Sequence, residues 1–311
     1  MYASIDVGSN TVRMMIGNRE RGRLVPHLYR RCITRLGGGL SSTEGLSEES
    51  MNRTLDALEG FALTIRESPV RAVRMVGTEA LRRAINRTDF VERVARRTDL
   101  TLEIIPGPVE AELSAAGVLE ALEPRPDVCL IIDIGGGSTE LILVKQGAVQ
   151  FRESYPLGVV RLCEEQPDAA GRTAAIGSVI GDFVQRLDCQ GLKSLLMSGD
   201  CELVGTAGTV TTLAALDQQM VDYDWRRINN YRLSAATLHS QYRTLTPLSV
   251  AEREGLSGLE EGRGDLIMPG LEILLELTTI SAHDAVRVSD FGLLEGVLLA
   301  LVSSDSVAGT D

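Results

Sequence analysis

One short pattern occurs twice in the chain, and it constrains the fold more than any other feature. An apolar run at 1–5 leads into Asp-Val-Gly-Ser-Asn-Thr at 6–11, and a second apolar run follows. Another apolar run leads into Asp-Ile-Gly-Gly-Gly-Ser-Thr at 133–139, again followed by apolar residues. Two apolar runs joined by a short glycine-containing loop are typical of a β-hairpin. Because the two aspartates lie 127 positions apart, about one domain length, we predict two related domains that each begin with such a hairpin.

Helix-like and strand-like segments alternate along the rest of the chain, which predicts the α/β class. Residues 123–126 contain two prolines and are the strongest linker signal, so we place the domains at 1–124 and 125–291. We predict further strands near 72–76, 101–105, 149–156 and 195–198, and helices near 47–62, 78–86, 90–97, 109–122, 176–187, 265–278 and 292–302.

Individual residues predict where two of these helices begin and which face of a third is buried. Ser47 can cap the helix that follows it, and residues 249–252 have the pattern of a capping box. In the helix that begins near Val109, the spacing of apolar residues predicts that Val109, Leu113, Ala116 and either Leu119 or Leu122 face inward.

Composition narrows the classes of function. The net charge is −12 and is uneven, because residues 1–125 carry +1 and the remainder carries −13. A chain without a basic footprint is not expected to bind a nucleic acid polymer. No apolar run reaches the roughly 18 residues of a membrane span, and the N-terminus lacks a signal-peptide pattern. Five scattered cysteines and three histidines without metal-ligand spacing favour a cytoplasmic protein with reduced thiols over disulfides or zinc.

Three glycine loops are candidates for binding phosphate, namely those at 8–11, 135–139 and 205–209. Glycine lets backbone N–H groups converge without an intervening Cβ, and such a nest of amides binds phosphate oxygens. The alternative is that each loop is only a tight turn. None of the three has a Walker A, Rossmann or nucleophile-elbow pattern, so we predict phosphate held by hairpins rather than at a strand–helix turn.

Several charged residues could act beside bound phosphate. Asp6 and Asp133 each lie directly before a glycine loop, where they could hold Mg²⁺ or bond to their own turn amides. Glu110 lies in the first turn of a helix, where the helix dipole alone favours an acid, whereas Glu140 lies among apolar strand residues. Arg82 and Arg83 are adjacent and point to different faces of a helix, so one of them could bind phosphate, and the alternative is that both are solvated.

Taken together, several motifs resemble one known family. They are Asp6–Thr11, Thr78–Asn86, Gly107–Leu113, Asp133–Glu140, Pro156–Arg161, Gly205–Thr209, Arg263–Asp265 and Ser289–Gly296. The set occurs in order along essentially the whole chain, which is similar to the exopolyphosphatase/guanosine pentaphosphate phosphohydrolase family in its short two-domain form. That family belongs to the actin-like ATPase superfamily. The resemblance implies two ribonuclease-H-like domains with an active cleft between them, and a C-terminal helix at 292–311 that joins the first domain.

The resemblance also implies roles for individual residues. Glu110 matches the catalytic base, and Glu140 matches an acid that helps to organise water. Asp133, and Asp6 with it, match positions that hold metal. The positions matched to phosphate binding are Gly8, Ser9, Asn10, Thr11, Arg82, Gly135, Gly136, Gly137, Ser138, Thr139, Gly208 and Thr209.

The chain departs from the family pattern at four positions. Val109 stands where a glutamate is common, Thr11 replaces a serine and keeps its hydroxyl, and Ala207 replaces a glycine. Leu294 stands where an arginine is often found, so a phosphate-binding role for that position is not expected.

The resulting hypothesis is a phosphoanhydride hydrolase that releases terminal orthophosphate from linear inorganic polyphosphate. Mg²⁺ is the expected cofactor, with Mn²⁺ as an alternative and K⁺ as a candidate monovalent cation. The acidic second half favours short chains and release between cuts. The alternatives are hydrolysis of guanosine pentaphosphate, a sensor that binds guanosine tetraphosphate without turnover, and an ATP-using sugar kinase. The oligomeric state is open, with a homodimer among the options.

Overall fold

The structure is a computed structural model that describes residues 1–308. It contains two compact units, of which the first comprises Met1–Glu120 with Phe291–Asp311 and the second comprises Ala121–Asp290. The predicted C-terminal segment 292–311 includes residues 309–311, which lie outside the described part of the chain.

Eleven strands and thirteen helices are found within residues 1–308. The strands are β1 (Tyr2–Val7), β2 (Thr11–Glu20), β3 (Arg23–Ile33), β4 (Ala72–Gly77), β5 (Leu102–Ile104), β6 (Val128–Ile134), β7 (Thr139–Lys145), β8 (Ala148–Tyr155), β9 (Cys201–Thr206), β10 (Arg232–Ser234) and β11 (Ala285–Val288). The helices are α1 (Glu48–Arg66), α2 (Glu79–Arg83), α3 (Arg87–Thr98), α4 (Gly107–Ala121), α5 (Val159–Glu165), α6 (Ala169–Cys189), α7 (Lys193–Leu196), α8 (Ala207–Asp217), α9 (Trp225–Ile228), α10 (Ala235–Leu245), α11 (Val250–Glu254), α12 (Ile267–Ser281) and α13 (Leu293–Ala308).

The first unit is built on a five-stranded sheet of order β3-β2-β1-β4-β5. Strands β1, β2 and β3 are antiparallel neighbours, whereas β4 and β5 run parallel to β1. Every residue of β1 is buried, because the sheet is covered on both faces. Ile5 and Val7 belong to a core with Met51 and Leu55 of α1, and α13 packs against β1, β2 and β4.

The second unit repeats this topology. Its sheet has the order β10-β11-β9-β6-β7-β8, in which β6, β7 and β8 are antiparallel and β9 and β11 are parallel to β6. Strands β8-β7-β6-β9-β11 thus correspond to β3-β2-β1-β4-β5, and β10 adds an antiparallel edge strand. The predicted repeat and the predicted α/β class with two ribonuclease-H-like domains are confirmed.

Two predicted helix starts are confirmed in detail. The side chain of Ser47 accepts a hydrogen bond from the amide of Ser50 at the start of α1. Ser249 and Glu252 form the reciprocal capping box at the start of α11. Both side chains satisfy amides that would otherwise lack an intrahelical partner.

Three local predictions are wrong. Residues 195–198 were expected to be a strand, but Lys193–Leu196 is a helix and the strand is Cys201–Thr206, which pairs with β6. The helix expected at 78–86 is only Glu79–Arg83, and Thr78 makes no side-chain cap. Ala116 of α4 is exposed.

The buried face of α4 is formed mainly by small residues, together with Glu110 and Leu119, which explains the error at Ala116. Ala111, Ser114, Ala115 and Val118 are among the residues turned inward. A Cβ placed on Gly117 would lie 1.9 Å from the carbonyl oxygen of Gly292, so the helix approaches the backbone that precedes α13 directly. Close backbone packing selects small residues rather than large apolar ones.

Candidate active site

The loop of the first hairpin turns its carbonyl groups back into the protein. The amide of Gly8 donates to the carbonyl of Thr11 at 3.1 Å. The carbonyls of Ser9 and Asn10 accept from backbone amides of 34–37 at 2.7–3.0 Å. Within residues 1–308, no protein group accepts from the amides of Ser9 and Asn10. These two amides are therefore available to an anion.

The loop of the second hairpin is held in the same way. The amide of Gly135 donates to the carbonyl of Ser138 at 2.9 Å. The carbonyls of Gly135 and Gly136 accept from the amides of 159–161 at the start of α5, at 2.9–3.3 Å. No acceptor for the amides of Gly136, Gly137 and Ser138 is found in the described part of the chain. Among the described residues, this loop has three amides without a protein acceptor where the first loop has two.

Each aspartate lies at the base of its hairpin and faces one residue of the next strand. Asp6 is the antiparallel partner of Arg13, and Asp133 is the antiparallel partner of Glu140. Directly opposed residues on adjacent strands project to the same face, with Cβ atoms about 5 Å apart. Each hairpin therefore has an aspartate at the equivalent position, but the residue opposite it is positive in the first hairpin and negative in the second.

Arg13 is bound to Asp6 by two hydrogen bonds. Its Nε and Nη2 both donate to Oδ2 of Asp6, at 3.0 and 2.5 Å. Burial lowers the pKa of Arg13, but the negative charges around it outweigh burial, with Asp6 the largest of them, and the pKa is raised. Oδ1 of Asp6 is buried and has no hydrogen-bond partner within residues 1–308.

Glu140 is held by two serine hydroxyls. Ser138 and Ser154 both donate to its Oε1, at 2.8 and 2.6 Å, and only 2% of Glu140 is exposed. Asp133, opposite it, is buried as well. Two carboxylates that face each other repel unless a cation or a proton lies between them.

The pair formed by Asp133 and Glu140 fits a magnesium ion better than Asp6 does. Mg²⁺ is typically held by one or two carboxylates together with phosphate oxygens and water. Among residues 1–308, no group of three or more His, Cys, Asp or Glu side chains could hold a metal. A site made of two protein carboxylates and substrate oxygens is consistent with that finding. Asp6, by contrast, already shares one oxygen with Arg13.

The structure brings Arg82 and Glu110 together in the first unit. Nη1 of Arg82 donates to Oε2 of Glu110 at 2.5 Å and to the carbonyl of Ile105 at 3.0 Å. Nη2 and Nε donate to Oε2 of Glu79 at 3.0 and 3.3 Å. Glu110 lies in the first turn of α4 and is 7% exposed. Arg82 thus links Glu110, the predicted base, to the carboxylate of Glu79. Because its guanidinium already binds these two acids, phosphate binding by Arg82 stays a prediction.

The segment predicted as the third glycine loop is a direct strand–helix junction, because Gly205 and Thr206 end β9 and Ala207 begins α8. It lies beside the second hairpin, since Thr206 is the parallel partner of Asp133. Ala207 has φ +67°, a left-handed conformation that favours the glycine found at this position in the family. A Cβ on Gly208 would lie 2.0 Å from Nη1 of Arg263, so that guanidinium packs directly on the loop. Thr209 is buried.

Sequence reasoning missed two of these residues, namely Arg13 and Ser154, and gave Arg263 no role beyond its place in a family motif. Arg13 follows Asp6 by seven residues, just as Glu140 follows Asp133, so the repeat itself contained the signal. Ser154 is identified only by the register of β8 against β7. Arg263 lies far from Gly208 in sequence, and only its family motif pointed to it.

Glycine hairpins beside buried acids, repeated on two sheets, are suited to binding phosphoryl groups. The chain belongs to the Ppx/GppA phosphatase family, whose family model matches residues 18–305. The predicted family and the predicted enzyme class, a phosphoanhydride hydrolase, are confirmed.

Known proteins resemble the chain along most of its length. It is 33% identical to Exopolyphosphatase 2 of Mycobacterium tuberculosis, over 96% of this chain and 98% of that protein. It is 28% identical to the guanosine-5'-triphosphate,3'-diphosphate pyrophosphatase of Photobacterium profundum, over 97% of this chain but 59% of that protein. The crystal structure of the Ppx/GppA family member of Aquifex aeolicus has a TM-score of 0.77 and 32% identity, and 98% of each chain is covered.

Within residues 1–308, none of the helices has both the length and the apolar character required to cross a membrane.

Proposed function

We propose that the protein is a metal-dependent exopolyphosphatase, which removes terminal orthophosphate from linear inorganic polyphosphate by attack of water. The observation that carries this choice of substrate is the match to Exopolyphosphatase 2, which extends over nearly the full length of both chains. The residues of the two hairpins supply the binding groups and charges that such a reaction needs.

Phosphate binding is assigned to the backbone of the hairpins. The amides of Ser9 and Asn10 in one unit, and those of Gly136, Gly137 and Ser138 in the other, lack acceptors within residues 1–308. Amides fixed in this way bind phosphoryl oxygens without reorganising, and phosphoryl transfer depends mainly on such positioning.

Asp133 and Glu140 are the residues that would hold Mg²⁺. Ser138 and Ser154 fix the position of the Glu140 carboxylate, and the sheet register fixes Asp133 opposite it. When bound, the metal would offset the negative charge of the phosphoryl oxygens.

Glu110 is assigned as the group that orients and deprotonates the attacking water. Arg82 donates to its Oε2, which fixes the position of the carboxylate, and a carboxylate so placed can accept a proton from water. Burial of Glu110 at the start of α4 limits the number of waters that can compete for it.

The test is phosphate release from polyphosphate, guanosine pentaphosphate and ATP, compared side by side with purified protein and Mg²⁺. The proposal expects the highest kcat/KM with polyphosphate and little release from ATP. The Glu110→Gln variant serves as the matched control for contaminating phosphatases. Turnover of ATP alone, and only with a sugar present, would overturn the proposal in favour of a kinase.

A second candidate is hydrolysis of guanosine pentaphosphate, which the similarity to the Photobacterium profundum enzyme favours. The same comparison distinguishes the two candidates, because this one expects release from the nucleotide to exceed release from polyphosphate.

A further inference from the structure

The repeated topology allows the two hairpins to be compared residue by residue across three strands. In the first unit, Asp6 of β1 faces Arg13 of β2, which in turn faces Arg31 of β3. In the second unit, Asp133 of β6 faces Glu140 of β7, which faces Ser154 of β8. We refer to these sets as the first row and the second row. Each row lies on one face of its sheet, directly below the glycine loop.

The two rows carry opposite formal charges. One aspartate and two arginines give the first row a formal charge of +1, and an aspartate, a glutamate and a serine give the second row −2. Equivalent positions in a repeated fold have therefore acquired different electrostatics.

Arg13 is the residue that changes the electrostatics directly beside Asp6. Its two hydrogen bonds both end on Oδ2 of Asp6, and the remaining oxygen, Oδ1, is buried without a partner within residues 1–308. Oδ1 lies 4.0 Å from the position that a Cβ on Gly8 would occupy, next to the first loop. A cation bound to that oxygen would have to approach a carboxylate whose charge Arg13 already balances.

Glu295 at the start of α13 adds to the negative charge around Arg13. It contributes to the raised pKa of Arg13, it is buried, and its Oε2 accepts from the amide of Gly292 at 2.7 Å. Asp6 holds the Arg13 guanidinium by hydrogen bonds, and the negative charges of Asp6 and Glu295 both favour its charged form.

We propose that Arg13 is a positioning residue that excludes the divalent cation from the first hairpin and thereby assigns it to the Asp133 and Glu140 pair of the second. The first hairpin then binds phosphate through its amides without a metal. This inference rests on the proposed function, since it takes a divalent cation to be the cofactor.

Mn²⁺ binding to the purified protein, followed by the electron paramagnetic resonance signal of free Mn²⁺, tests the proposal without any turnover. We expect about one ion per chain in the wild type, the same number in Asp6→Asn, and loss of binding in Asp133→Asn. Loss of the ion in Asp6→Asn, or about two ions per chain in the wild type, would overturn the proposal.

Arg13→Gln gives the complementary test. Removing the guanidinium leaves Asp6 uncompensated, and we expect the variant to bind a second Mn²⁺ that disappears again when Asp6→Asn is added. Arg13→Lys keeps the charge and Arg31→Gln changes the next residue of the row, so both should stay at about one ion per chain. A folded Arg13→Gln variant that still binds a single ion would contradict the proposal. If circular dichroism shows that this variant is unfolded, the Asp6→Asn result decides.

The outcomes separate this inference from the proposed function. Absence of phosphate release from polyphosphate with the Mn²⁺ pattern intact would reject the substrate and keep the role of Arg13. Phosphate release from polyphosphate without the expected Mn²⁺ pattern would support the exopolyphosphatase and reject the role of Arg13.

Discussion

Arg82 donates from Nη1 to Oε2 of Glu110 at 2.5 Å, and so links the end of α2 to the first turn of α4. Both residues are predicted to act on phosphate or water, and the structure shows that their side chains form a hydrogen-bonded ion pair. The same guanidinium binds Glu79, which makes its position depend on two acids.

Replacement of Glu110 tests its assignment as the base. Glu110→Gln keeps the shape and a hydrogen-bond acceptor for Arg82, but it removes the proton acceptor. Loss of a general base typically lowers the rate by about 10²–10⁴-fold, and we expect a fall of that size with an unchanged melting temperature. Near-wild-type turnover would move the base to another residue, with Glu140 the next candidate.

Replacement of Arg82 should affect stability as well as activity. Arg82→Met leaves Glu79 and Glu110 as neighbouring carboxylates without their shared cation, so we expect a lower rate and a lower melting temperature. Arg82→Lys keeps a charge but loses the forked geometry, and an intermediate effect is expected. Differential scanning fluorimetry and steady-state kinetics measure both. A wild-type rate in Arg82→Met would show that the pair has no part in the reaction.

The charge of Asp133 should appear in the dependence of the rate on Mg²⁺. Asp133→Asn removes one of two opposed carboxylates, so we expect a higher Mg²⁺ concentration for half-maximal activity and a much lower maximal rate. Asp182→Asn is a suitable control, since that carboxylate forms a surface ion pair with Arg186 in α6. An unchanged metal titration in Asp133→Asn would leave Asp133 as a turn residue only.

Substitution of Gly158 tests the importance of the position of the second hairpin loop, because it changes no charged group. A Cβ at this position would lie 2.3 Å from both Gly136 O and Gly137 C, so Gly158→Ala must displace the loop. We expect weaker substrate binding, seen as a raised KM, and some loss of stability. Gly181→Ala in α6 is the matched control, because nothing lies within 4 Å of its Cβ position. That variant should keep its activity and be slightly more stable.

The charge distribution predicts the manner in which the enzyme digests long polyphosphate chains. Residues 126–311 carry −13, which gives a polyanion little long-range attraction. We therefore expect release between cuts, seen on a gel as a ladder of gradually shortening polyphosphate. Full-length substrate that persists beside free phosphate, without intermediates, would instead indicate processive digestion.

Sequence alone predicted the features that depend on local pattern. The two hairpins, their topological repeat and the caps at Ser47 and Ser249 follow from residue types that determine turns and helix ends. The positions of Arg13 opposite Asp6 and of Ser154 opposite Glu140 depend on strand register, which only the paired sheet defines. The strand expected at 195–198 was misplaced because a short apolar run is compatible with either a helix or a strand.

Hydrolysis in water enriched in ¹⁸O, followed by ³¹P NMR, tests the central claim most directly. The account predicts that orthophosphate accumulates at the expense of polyphosphate without any acceptor other than water, and that each released phosphate carries one ¹⁸O atom from that water. Orthophosphate without ¹⁸O, or phosphoryl transfer that requires an added hydroxyl acceptor, would contradict the assignment of the protein as an exopolyphosphatase.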